Sequence, residues 1–112
     1  ARIAALAPVV CAAARAGDPV ASVIVADAVG HLVATLDSLR APGPVVLAGG
    51  LLATDTPVRD GLLALLDARG TTALTSRDPA AGAAWLAART KPGIDPAALH
   101  AALVGAGVSP SN

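Results

Sequence analysis

Apolar positions follow two rhythms along this chain. Between Pro19 and Arg40, residues Ile24, Ala28, Leu32, Leu36 and Leu39 recur at helical spacing. Val25, Val29 and Val33 widen that stripe, which predicts a long helix buried on more than one side. Val45–Ala48 reads differently, as a short continuous apolar run closed by Gly49-Gly50. Such a run suits a strand covered on both faces, as in a parallel sheet. Thr71–Thr75, rich in β-branched residues, predicts a second strand.

Polar punctuation sets the remaining boundaries. Asp18-Pro19, Asp78-Pro79 and Asp95-Pro96 each put a carboxylate at a helix cap and a proline at the first helical position. The carboxylate accepts from unpaired first-turn amides, and proline has no amide to leave unpaired. At Asp55-Thr56-Pro57 either Asp55 or Thr56 fills the same role. The predicted helices are Arg2–Ala16, with Pro8 as a possible break, then Pro19–Arg40, Pro57–Arg69, Pro79–Arg89 and Pro96–Val104. Leu62, Leu63, Leu65 and Leu66 form the inward face of the Pro57 helix. Gly105–Asn112 reads as a fraying tail. Strand, helix and strand in this order make a βαβ unit of the α/β class, helix-rich with a short parallel strand pair. Two strands leave open edges and cannot cover this many apolar helices. Further strands are therefore expected before Ala1 or in a partner chain.

Composition narrows the chemistry. Hydrophobic residues make up 54% of the 112 positions, yet Phe, Tyr and Met are absent and Trp85 is the single aromatic. The eight acidic residues, all Asp, balance eight bases, and no basic stripe appears, so nucleic acid is not an expected partner. Cys11 stands alone, so no internal disulfide or cysteine cluster can form, and a cytoplasmic setting is expected. The longest uncharged apolar run, Ile3–Ala14, is twelve residues and too short to span a bilayer. It reads as a buried helix rather than a signal peptide, and no membrane partner is expected.

Candidate chemistry centres on Val45-Val46-Leu47-Ala48-Gly49-Gly50, followed by Leu51-Leu52, a short loop and the capped helix at Thr56-Pro57. Ligands of open α/β sheets bind beyond the carboxyl ends of strands. Two glycines there let the backbone lie against a ribose, phosphate or flat ring. A Gly-Gly after a strand is also a common exit turn, and neither a Walker loop nor a G-x-G-x-x-G is present. His31, His100 and Cys11 share no ligand spacing and read as surface or packing residues. Trp85 reads as a packing residue, Asp55 as a cap and Asp60 as a first-turn charge. Arg59 and Arg77 are candidates for reaching phosphates but read as solvated surface.

Ala5-Leu6-Ala7-Pro8-Val9-Val10, Ala16-Gly17-Asp18-Pro19-Val20-Ala21, Val45–Gly50 and Asp78-Pro79-Ala80-Ala81-Gly82-Ala83 occur in that order. The series resembles the C-terminal part of the BadF/BadG/BcrA/BcrD-type ATPase family. That family includes N-acetylglucosamine and glucosamine kinases and belongs to the acetate and sugar kinase, Hsp70 and actin superfamily. The resemblance extends to about Arg89. It implies a ribonuclease H-like fold and a two-domain kinase in which residues 1–112 form the C-terminal nucleotide-binding portion, an incomplete domain. It further implies ATP with Mg2+ as cofactors, an amino sugar as acceptor, and the rest of the chain or a homo-oligomer as partner. Gly49 and Gly50 match the family's adenosine motif, and Leu51 and Leu52 lie where adenine or ribose contacts are expected. Gly82 matches a helix glycine that permits close packing. The family's glycine-rich phosphate loop and catalytic Asp have no counterpart in these residues, so no catalytic residue is assigned and this portion alone is expected to be inactive. Two alternatives stay open: an ATPase that activates a partner reductase, and an interaction domain without a ligand.

Overall fold

The computed structural model describes residues 2–76, 78–104 and 108–110. A 3₁₀ turn at Ala4–Leu6 leads into α1 (Ala7–Arg15), followed by α2 (Pro19–Leu39), β1 (Val45–Leu47), α3 (Gly50–Ala53), α4 (Pro57–Ala68), β2 (Ala73–Ser76), α5 (Pro79–Ala88), α6 (Pro96–Leu103) and β3 (Val108–Pro110). The fold is of the α/β class, helix-rich, with β1 and β2 parallel in the register Val45↔Ala73, Val46↔Leu74, Leu47↔Thr75.

Proline and aspartate set the helix starts as the sequence predicts. Asp18 accepts from the Ala21 amide at 2.7 Å, Asp78 from Ala81 at 2.9 Å and Asp95 from Ala97 at 3.0 Å. At α4 the cap is Thr56, whose hydroxyl accepts from the Arg59 amide at 3.1 Å. Asp55 is not a cap; it turns outward to pair with Arg15. Pro8 does not break the first helix but marks where the 3₁₀ turn becomes α1, since proline is compatible with a first helical turn. Gly70, at φ +66, closes α4, and the Thr71 amide returns to the Leu66 carbonyl at 2.9 Å. Helix α2 ends without a glycine, forcing Arg40 into the left-handed region at φ +47.

One core cluster holds the unit together: Val29 from α2, Leu47 from β1, and Val58, Leu62 and Leu66 from α4. Leu47 and Leu66 are each 1% exposed. Val25, Ala28, Leu32, Val33 and Leu36 bring the rest of one α2 face onto it. Ile24 and Leu39, expected on that stripe, are instead exposed, and α2 is covered on one side only. Leu65 of α4 likewise faces outward. Close approach of α2 and α4 depends on Gly61, where an added Cβ would stand 3.0 Å from Val29 Cγ2.

Several expectations of burial are corrected. The N-terminal apolar run is no buried helix: α1 has no fully buried residue, and Ile3 is 85% exposed. The sheet is covered on one face. Alternation along β1 turns Leu47 into the core and leaves Val46 53% exposed on the other side. Gly82 does not serve close packing, since an added Cβ there would meet nothing within 4 Å. Residues 108–110, expected in a fraying tail, form β3 antiparallel to β2, with Thr75 opposite Ser109. The rest of that tail and Arg77 lie outside the described residues.

By length and composition α2 is also apolar enough to cross a membrane, with mean hydropathy 1.7 and 17% of the window buried. A count of uncharged runs misses this because Asp27 interrupts the segment. Helices α5 and α6 pack on each other through Trp85. Its indole Nε1 donates to the Pro96 carbonyl at 2.9 Å, its ring meets His100 edge-on at 5.1 Å, and the Arg89 guanidinium lies 5.0 Å from its centre. Trp85 is thus a packing residue, as the sequence suggests.

Candidate functional site

Strand β1 delivers the chain to the end of the sheet at Ala48, and the backbone then turns sharply. Gly49 takes φ +82 and ψ 161, a region open essentially to glycine alone. Its carbonyl accepts from Leu52 at 3.1 Å and Ala53 at 2.8 Å, starting α3 at once. The segment expected as a loop after the diglycine is therefore a short helix. Two hydroxyls fix it. Thr54 donates to the Gly50 carbonyl, and Thr56 donates to the Leu51 carbonyl at 2.7 Å. The amides of Gly50 and Leu51 lie in the first turn of α3 and have no intrahelical acceptor.

The two leucines separate. Leu51 is exposed and lines a crevice between α1 and α3, whereas Leu52 packs against the core cluster and anchors α3 from beneath. The crevice has a volume of about 770 Å³, within the range of small-molecule sites, roughly 300–1,000 Å³. Pro8, Cys11 and Arg15 contribute to one wall, and Gly50, Leu51 and Asp55 to the other. Most of the lining is small and apolar, and its polar end is an ion-pair cluster. One Arg15 nitrogen, Nη2, lies 2.6 Å from Asp55 and 3.2 Å from Asp60. These groups are all substantially exposed, so the cluster positions α1 against the start of α4 more than it stabilises the fold. Nothing in the local sequence announces it, because its partners are 40 and 45 residues apart.

Arg59, expected as solvated surface, is half-buried in the first turn of α4. Its Nη2 donates to the buried Thr75 hydroxyl at 3.4 Å. Thr75 pairs in register with Leu47, two residues before Gly49, so Arg59 sits at the same end of the sheet as the diglycine. Asp60 lies in the first turn of α4, as expected, and is also held by Arg15. His31 and His100 are exposed and Cys11 is a half-buried free thiol. No group of three or more metal-ligating side chains occurs among the described residues.

No protein-family model matches the chain, and neither the curated proteins nor the solved structures provide a significant match.

Proposed function

We propose that this chain is the C-terminal nucleotide-binding portion of an ATP-dependent amino-sugar kinase of the BadF/BadG type, supplying the adenosine side of an ATP cleft within a ribonuclease H-like fold. The observation that carries the reading is Gly49. A residue in a glycine-only conformation turns the chain two residues beyond a parallel strand, beside a crevice of nucleotide size. Gly50 brings bare backbone to that crevice, with Gly49 making the turn just before it, and Leu51 offers an apolar surface for a base. Such a cradle fits a nucleoside. The side chains do not make a magnesium site here: Asp55 and Asp60 are engaged by Arg15, and no ligand cluster lies among the described residues. Magnesium, the phosphate loop and the catalytic carboxylate belong to the rest of the proposed enzyme. The uncovered sheet face at Val46 fits an incomplete domain, because parallel sheets are normally covered on both faces.

In this reading the complete enzyme moves the γ-phosphoryl of ATP to a sugar hydroxyl and releases ADP. The test is ADP production by the complete protein with glucosamine or N-acetylglucosamine. Sugar-dependent release supports the proposal. ATP hydrolysis indifferent to sugar favours the reductase-activating ATPase, and no turnover with no ADP binding favours an interaction domain. The exposed Val46 face is the observation that keeps the interaction-domain reading in view.

A further inference from the structure

We infer that Arg59 is the residue that holds the phosphate end of a nucleotide lying across Gly49 and Gly50. The inference rests on the proposed nucleotide reading and adds a positioning residue to it. Three arginines tie the packed unit together, and they are satisfied differently. Arg15 faces Asp55 and Asp60, and Arg69 faces Asp37 at 2.8 Å. Arg59 has no carboxylate partner among the described residues; its recorded side-chain contact is the Thr75 hydroxyl at 3.4 Å. A guanidinium carries five N–H donors in a planar fork, and one long bond to a neutral oxygen engages little of that capacity. A half-buried charge is ordinarily paired.

Its position gives the missing partner a direction. Thr75 lies beside Leu47 in the parallel register. Strands advance about 3.3 Å per residue, so Gly49 stands roughly 7 Å further along, within the span of a nucleotide. The base of the side chain is fixed as well, because the Arg59 amide is held by the Thr56 cap. The same Thr56 hydroxyl bonds the Leu51 carbonyl, which joins Arg59 and the crevice wall through one residue. A planar guanidinium suits phosphate oxygens bidentately.

The test compares ADP with adenosine on the complete protein, by calorimetric titration of wild type, Arg59→Gln and Arg59→Lys, with thermal unfolding of each. Arg59→Gln is expected to weaken ADP about tenfold or more, as for loss of a charged hydrogen bond, and to leave adenosine within about twofold. Arg59→Lys is expected to recover part of the ADP affinity. Unchanged ADP binding in Arg59→Gln overturns the inference. Equal loss of ADP and adenosine overturns it too, because it makes Arg59 purely structural. Wild type that binds neither ligand refutes the nucleotide reading itself, and this inference with it.

Discussion

Gly50→Ala separates what the diglycine does for the fold from what it does for a ligand. Gly50 is the first residue of α3, it lacks the positive φ of Gly49, and an added Cβ would meet nothing within 4 Å. Glycine in a helix costs about 0.5–1 kcal/mol relative to alanine. The substitution is therefore expected to leave stability unchanged or raise it by up to about 1 kcal/mol. Binding should move the other way. The new methyl would stand about 1.5 Å off the Cα, on a residue lining the crevice, and would hold off any ring or phosphate that needs bare backbone. An affinity loss of tenfold or more is expected, about 1.4 kcal/mol or more. Urea unfolding and ADP titration on the same preparation measure both effects. Full ADP affinity in a stable Gly50→Ala protein would refute the argument that the backbone is the binding surface.

Gly49→Ala should destabilise by about 1–3 kcal/mol through backbone strain alone, since the space around its Cβ position is empty; urea midpoints measure this. Leu66→Ala, at a 1% exposed core position, is expected to cost about 2–5 kcal/mol in the same assay. Gly61→Ala should cost about 1–3 kcal/mol by pushing on Val29, and Val29→Ala in the same chain should recover part of that loss in a double-mutant cycle. Arg40→Gly should stabilise by about 0.5–1 kcal/mol, because a left-handed helix end is strained for arginine, visible as a higher melting temperature.

Much of this fold is local chemistry, and local chemistry is legible in sequence. The Asp-Pro pairs announce three helix starts within a residue because a cap bond spans only two or three positions. The β1 run and its glycine stop are equally local. What sequence periodicity cannot convey is which apolar face meets a partner. Ile24 belongs to the same helical stripe as Ala28 and Leu32, yet only the latter two reach the core, because α4 covers one sector of α2. Glycine roles divide on the same ground. Gly82 sits in a motif yet has open space where a Cβ would stand, while Gly61, in no motif, is where α2 and α4 meet. At the candidate site, the diglycine is visible in sequence from its residues alone. The Arg15 cluster and the Arg59–Thr75 contact join residues 16 to 45 positions apart, and only the folded chain brings them together.

Amide hydrogen exchange of the complete protein, with and without ADP, tests the central claim most directly. If the nucleotide lies on the diglycine, ADP should slow exchange in a peptide covering Ala48–Thr54 and on the crevice side of α1. ADP that binds but protects only segments remote from Gly49 and Gly50, or that protects none, contradicts the account.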